Sequence, residues 1–411
     1  MTKSTALQHI RICDFSGLLA GAGATKFLSA FGAEIIRVED PVRQGRWDIL
    51  RGGTPYKDER RGINLGGSFN NHNVEKLGVT INLKHELGLD LARKLIAVSD
   101  VVHENFAPGV LDRLGLGFDA QKEIKPDIIY VTNTGFGHSG PYGRYKSFGP
   151  IAQAAAGLTF ASGLPDLEPA GYGYSYMDHT GAYFGAMAIM LALYHRNATG
   201  EGQYVDVSAA EAGAVLNGPE LLDYTVNNRP SRRPGRPDTN HSQFPQMAPH
   251  NIYEANGDDE WIAIACRSDA DWQTLAALIN APWTEAFDTL EVRVARQDQL
   301  DTHMTAWTRV QNKIELADQL VSAGVPASPV RKPQERVDED PNTQEWGLWP
   351  TVKHSEMGDV RVDGIGVHLS EPDWSIERGA PCLGENNHYV FSEVLGLSAE
   401  AIETLRAEGA I

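Results

Sequence analysis

Apolar and polar positions along this chain follow two rhythms, and the changes from one to the other predict its elements. Ile10 to Phe15 reads as a strand, and a Gly/Ala-rich turn follows from Gly17 to Gly23. The pattern then predicts a helix over Ala24–Phe31, closed by Gly32, and a strand over Glu34–Val38 ending at Glu39. The alternation continues with a strand at Gly78–Leu83, a helix at Glu86–Ala97, a short strand at Asp100–Glu104, a helix at Pro108–Leu114 and an apolar strand at Asp127–Thr134. Strands that alternate with helices predict an α/β fold with a mostly parallel sheet covered by helices.

Farther along, a long apolar helix runs from Ala186 to Tyr194, with Asp178 just ahead of it. Gly200–Gly202 breaks the chain, and Tyr204–Val207 is another strand. From Asn227 to Pro249 the chain turns to Arg, Pro, Asn and Gln, with Pro230, Pro234, Pro237, Pro245 and Pro249, which predicts a long linker. A smaller unit opens with a strand at Trp261–Cys266 and continues in helices to about Val325. Pro326 to Pro341 is a second Pro-rich, charged crossing; Val360–Val362 and Ala399–Glu408 then read as a strand and a final helix. The expected layout is a large domain over 1–226, a linker over 227–250, a small inserted domain over 251–325, a linker over 326–345, and a segment over 346–411 that rejoins the large domain.

Composition narrows the function. The 411 residues are 42% hydrophobic and 22% charged, an ordinary globular balance. A net charge of −18 argues against nucleic acid as a partner, so any polyanionic ligand needs local Lys and Arg. Cys13, Cys266 and Cys382 lie far apart and form neither metal-ligand spacing nor a disulfide framework, so no metal is expected and a reducing cytoplasm fits. No signal-peptide core and no membrane span are expected. Gly21-Ala-Gly23 with Glu39 suggests a dinucleotide fingerprint, but its third glycine position holds Lys26, and the two glycines read better as points of close backbone approach. The histidines, among them His103, His138, His179 and His195, read as surface or hydrogen-bonded residues. Asp178 alone reads as a helix N-cap, where the helix dipole favours an anion.

Three further segments shift that reading of Asp178. They are Glu104-Asn-Phe-Ala-Pro-Gly109, running on to Arg113; Gly135-Phe-Gly-His-Ser-Gly-Pro-Tyr142; and Leu383-Gly-Glu-Asn386. With the opening strand–turn–helix–strand, Asn73–Lys84 and Thr199-Gly-Glu-Gly-Gln203, their order along nearly the whole chain resembles the class III CoA-transferases, the family of formyl-CoA transferase and carnitine CoA-transferase. The resemblance implies a Rossmann-like large domain with a parallel sheet, a smaller inserted α+β domain, and an interlocked dimer threaded by the two linkers. It implies coenzyme A thioester as substrate, with no permanently bound cofactor, and Asp178 as the catalytic nucleophile that carries an aspartyl anhydride and then an aspartyl-CoA thioester. The positions it implies for CoA are Leu19, Ala20, Ile81, Lys84, Asn105, Phe106, Arg113 and Lys146. Asp40 stands where some members place an adenine-stacking Arg, with Arg37 or Arg43 as substitutes.

The partners implied are an acyl-CoA, a free carboxylic acid, and a second copy of the chain or a related subunit in a heteromer. Gly135–Gly137 and the stretch near Gly171–Gly173 are candidate sources of backbone N–H groups for an oxyanion. The Met-Asp-His stretch resembles the branch acting on succinyl-CoA and benzylsuccinate; Tyr172, Tyr174, Tyr176 and Phe148 read equally as an aromatic acyl pocket or as ordinary packing. An alpha-methylacyl-CoA racemase-like acid/base enzyme is the alternative, but Phe148 stands where those enzymes place a histidine. A plain NAD oxidoreductase is the remaining reading.

Overall fold

The computed structural model describes residues 5–162, 167–173, 175–231 and 239–411, so Tyr174, Pro234 and Pro237 lie outside the described residues. The chain divides into two compact units, one of 1–162, 169–227 and 342–411, the other of 163–168 and 228–341.

The first unit is built on a six-stranded sheet in the order β3-β2-β1-β4-β5-β6. Its strands are β1 (Arg11–Asp14), β2 (Glu34–Glu39), β3 (Leu77–Thr80), β4 (Val101–Glu104), β5 (Ile129–Thr134) and β6 (Tyr204–Ser208). Every pairing is parallel; Cys13 stands opposite Ile36 on one side and Val102 on the other. Consecutive strand residues feed opposite cores, as a two-residue period requires. Ile12, Ile35, Val101 and Ile129 enter one apolar cluster, while Cys13, Ile36, Val102 and Tyr130 enter the other. Both faces are thus covered, which is why these strands read as apolar runs.

The connecting helices are α1 (Leu18–Ala30), α2 (Gly67–His72), α3 (Glu86–Ala97), α4 (Val110–Arg113), α5 (Phe118–Ile124), α6 (Gly149–Ala155), α7 (Leu158–Ala161) and α8 (Tyr176–Thr199), followed by α9 (Ala209–Leu216) and α10 (Pro219–Asn227). Two starts differ from expectation. Helix α1 begins at Leu18, so Gly21 and Gly23 lie inside it rather than in a turn. No side chain caps it locally; the Gly17 and Leu18 N–H groups are taken by Asn105 Oδ1 at 2.9 Å and Asp48 Oδ2 at 3.1 Å. Those partners are distant in sequence, so the pattern of the segment itself hides the start. Helix α8 begins at Tyr176, well before Ala186, and runs past Tyr194 to Thr199, where the expected break at Gly200 caps it at φ +79°.

Small residues explain the early start of α8. A Cβ added at Gly23 would sit 2.9 Å from Ala182 Cβ, and one at Gly185 would sit 3.3 Å from Ala24 Cβ and 2.5 Å from Asn133 Nδ2. Helices α1 and α8 therefore meet almost backbone to backbone, and this packing overrides the weak helix propensity of Gly181 and Gly185.

The terminal Leu-Gly-Glu-Asn motif closes the sheet edge. Asn386 Oδ1 accepts the Gly78 N–H at 2.9 Å and Asn387 Oδ1 accepts the Thr80 N–H at 2.8 Å, so the outward N–H groups of β3 are satisfied by side chains.

The second unit holds a two-residue ladder of β7 (Ser242–Gln243) and β8 (Gln246–Met247), then β9 (His250–Glu254), β10 (Trp261–Ala265) and β11 (Ala327–Pro329). The last three form an antiparallel sheet in the order β11-β10-β9, and its core gathers around Trp272, Leu275, Leu300 and Leu316. Within the expected linkers, 227–250 contains β7 and β8, and 326–345 contains β11. The proline-rich sequence of β11 is compatible with a strand because β11 lies at the sheet edge, where a missing N–H costs no ladder bond. The hairpin of β12 (Thr351–His354) and β13 (Gly358–Arg361) belongs to the first unit.

Candidate active site

Reversal of strand order between β1 and β4 opens a crevice at their carboxyl ends, the place where open α/β sheets hold ligands. Gly17 follows β1 and Asn105 follows β4. Asn105 ties the two together, with Oδ1 accepting the Gly17 N–H and Nδ2 donating to the Gly17 carbonyl, both at 2.9 Å. Gly21 leaves room for this clamp: a Cβ there would come 2.8 Å from Asn105 Cγ. Asn105 thus acts first on the backbone of the turn.

Two cavities open along the crevice. One, of about 340 Å³, is lined by Asp40, Arg43, Trp47, Ile81, Lys84, Phe106 and Arg113. The other, of about 310 Å³, is lined by Leu18, Ala20, Asn105, Phe106, Thr134, Gly135, Lys146, Phe148, Gly149 and Asp178. Phe106 belongs to both walls. The first cavity brings Lys84, Arg113 and Arg43 around an aromatic and aliphatic floor, a chemistry suited to a phosphorylated nucleotide. Arg37 is not among them. It is fully buried, donating to Asp48 Oδ2 at 2.7 Å and Asn73 Oδ1 at 2.9 Å, so it cannot replace the missing arginine at Asp40. Glu39 is likewise committed, paired with Arg51 through both carboxylate oxygens, which leaves it unable to receive a ribose hydroxyl.

Of the residues expected at a CoA site, Ala20, Ile81, Lys84, Asn105, Phe106, Arg113 and Lys146 line one or other cavity. Leu19 lines neither. It is buried against Leu50, Phe69 and Ala380. Leu18 takes its place, held at φ +56°.

Asp178 is the third residue of α8 rather than its N-cap, which is Ser175. The first turn of the helix still offers its dipole. The carboxylate is largely enclosed, and burial raises its pKa above the ordinary aspartate value. A hydrogen bond from the Ser175 side chain, the nearby His179 and the Gly149 N–H work in the opposite direction and favour the anion. Gly149 is the first residue of α6, and a Cβ there would lie 2.3 Å from Asp178 Oδ2. Only glycine lets the α6 backbone come so close to the carboxylate. Ser175 is held at φ +52°, an uncommon conformation for a residue with a side chain.

Phe148 lines the Asp178 cavity, and no histidine lines it among the described residues. Gly135 lines it too, whereas Gly171 faces Gln153, whose Nε2 would be 3.7 Å from an added Cβ. Tyr172 and Tyr176 meet edge to face at 5.4 Å and are both partly exposed. Trp47, Leu18, Ser175 and Gly149 escape a reading of the sequence. Ser175 three residues before Asp178 and Gly149 before Pro150 are the only local signals, and both are common helix-start features.

Among the described residues, no group of three or more His, Cys, Asp or Glu side chains is placed to hold a metal, and no helix is long and apolar enough to cross a membrane.

Comparison with known proteins gives a consistent set of matches. The family model described as CoA-transferase family III matches residues 7–387. A succinyl-CoA–D-citramalate CoA-transferase of Chloroflexus aurantiacus is 30% identical over 408 residues, covering 98% of each chain. The beta subunit of a succinyl-CoA–L-malate CoA-transferase of the same organism is 29% identical, covering 100% of this chain and 99% of that one. The crystal structure of a CAIB/BAIF family protein from Brucella suis superposes with a TM-score of 0.84 at 27% identity, over 95% of this chain and 100% of that one.

Proposed function

We propose, from the premise that this chain belongs to CoA-transferase family III, that it moves CoA from an acyl-CoA thioester to a free carboxylic acid by covalent catalysis on Asp178. The observation that carries the reading is the position of Asp178: an enclosed carboxylate beside a second cavity that gathers Lys84, Arg43 and Arg113. In this reading the nucleotide end of CoA lies among those cations, and the pantetheine arm passes Phe106 to bring the thioester to Asp178.

The Asp178 carboxylate adds to the thioester carbonyl. The C–S bond breaks, leaving a mixed anhydride and CoA thiolate. The thiolate then attacks the aspartyl carbonyl, releasing the donor acid as its carboxylate and leaving Asp178 as a CoA thioester. The acceptor carboxylate attacks that thioester to form a second anhydride and free thiolate. Attack by the thiolate on the acceptor's acyl carbon yields the new CoA ester and restores Asp178. Each step exchanges one activated acyl bond for another, so no nucleotide triphosphate is consumed. The Gly149 N–H, which favours the Asp178 anion from close by, is suited to stabilise the oxyanion when the aspartyl carbonyl becomes tetrahedral.

Succinyl-CoA as donor and a hydroxy-dicarboxylic acid as acceptor are the substrate classes we favour, by analogy with the names of the two Chloroflexus relatives. The working assembly we favour is a dimer of this chain, or a pair with a related subunit, as the second relative's name indicates for that protein.

The test is to incubate the enzyme with succinyl-CoA and no acceptor, then look by mass spectrometry for a CoA adduct on the peptide holding Asp178. Asp178→Ala should lose the adduct and all transfer while keeping its circular dichroism spectrum. Full transfer by a folded Asp178→Ala protein would sink the reading. The racemase reading has nothing comparable in its favour, because Phe148 stands where such an enzyme needs its histidine and no histidine lines the cavity among the described residues.

A further inference from the structure

We propose that His138 is a positioning residue for coenzyme A, fixing with Glu104 the backbone of Phe106, the side chain shared by the two cavities. The inference rests on the CoA-transferase reading and adds to it a residue outside both cavity walls.

Phe106 is held at both ends of its backbone. Its N–H donates to Glu104 Oε2, and its carbonyl lies 3.2 Å from His138 Nε2. His138 Nε2 also lies 3.8 Å from Glu104 Oε1. Both neighbours of that nitrogen are acceptors, so Nε2 carries the hydrogen and donates to the Phe106 carbonyl. Glu104 is itself fixed: it is buried at the end of β4 and accepts the Tyr130 hydroxyl at 2.8 Å.

His138 is anchored from the other side. Its backbone N–H is shared between the two oxygens of Asp206, at 2.9 and 3.0 Å. The same carboxylate accepts the Ser139 N–H and hydroxyl and the Thr132 hydroxyl. Gly137, at φ +73°, turns the chain so that this fan of donors can form. A relay runs from β6 through His138 to Phe106, and it joins two loops that each contribute cavity wall: 105–108 on one side, 143–149 on the other.

The consequence is geometric. With its N–H and carbonyl both bonded, Phe106 is restrained in backbone rotation, and its ring stays against Trp47 at 5.1 Å between centroids. A ligand spanning both cavities must pass this point, so loss of the His138 bond should loosen its grip on the ligand without touching Asp178.

Free CoA is the probe, titrated by calorimetry into the full-length protein. His138→Ala should weaken CoA about tenfold, the effect of one lost hydrogen bond. His138→Gln, whose carboxamide N–H can reach the same carbonyl, should recover most of that loss. If the alanine variant fails to fold, His138→Met, which fills the volume without a donor, replaces it in the comparison. Wild-type affinity in His138→Ala or His138→Met overturns the proposal, as does a glutamine variant no better than either. Should the wild-type protein itself fail to bind CoA, the transferase reading falls and this one with it; binding by wild type with unaltered variants overturns the positioning role alone.

Discussion

At Asp178 two demands pull against each other. The nucleophile proposed here must be ionised, yet an enclosure that would keep water from the proposed anhydride also disfavours the charge. The pKa is raised by burial, with Ser175, His179 and Gly149 opposing, so the carboxylate loses its charge at a higher pH than an exposed aspartate does. The acid limb of kcat/KM for the acyl-CoA should therefore lie above the ordinary aspartate value of about 3.9, with activity falling as pH drops through it. The stability effect has the opposite sense. The folded protein binds this proton more readily than the unfolded chain, so stability falls as pH rises from the ordinary value through the raised one. Asp178→Asn removes that loss, and its Tm at pH 8 should be no lower than that of wild type while transfer is gone; a pH–rate profile and thermal melts check both. Asp178 was singled out in the sequence by the order of motifs around it. Its partners were not, because Gly149 reaches it from another helix and does so with a backbone N–H, which leaves no trace in residue type.

At the scale of elements, the helix that carries Asp178 is placed by small residues. Gly181, Ala182 and Gly185 follow Asp178 by one and two turns on the face that meets α1 and β5. Once those positions touch Gly23, Ala24 and Asn133, the rotation of α8 about its axis is set, and the carboxylate faces the cavity. Gly185→Val should force α8 away from Asn133, whose Nδ2 donates to the Gly181 carbonyl at 3.1 Å. The expected cost is about 1–3 kcal/mol, seen as a lower Tm at fixed protein concentration, with transfer reduced more than CoA binding. Unchanged stability would show that the two helices are not locked in this way. The strands and the helix Glu86–Ala97 were legible because their apolar pattern belongs to the segment itself. The starts of α1 and α8 were missed because both depend on partners far along the chain: Asn105 and Asp48 for one, the α1 surface for the other.

On the molecular scale, the first unit leaves an apolar face uncovered. Tyr183, Met187, Leu191 and Tyr194 follow one another at three- to four-residue spacing along α8 and are exposed, Leu191 by 70% and Tyr194 by 77%. Val215, Leu222 and Val226 on α9 and α10 are exposed as well. A lone soluble chain rarely presents so much contiguous apolar surface, and a second copy or related subunit is the occupant the family reading supplies. In the dimer proposed above, Leu191→Asp should shift the equilibrium toward monomer in sedimentation velocity and lower the Tm. A wild-type chain that sediments as a stable folded monomer would remove the basis for the dimer.

The sequence by itself determined the α/β class and the family, since these rest on local periodicity and on motifs whose residues are visible one at a time. Tertiary structure alone decided that Arg37 and Glu39 are spent on buried ion pairs, that Leu18 rather than Leu19 faces the crevice, and that Phe106 stands between two cavities. It also decided that Gly149 and Ser175 tune the carboxylate. The physical reason is the same in each case: hydrogen bonds, ion pairs and close packing join residues that only folding brings within a few ångströms, and no pattern along the chain encodes which of them will meet.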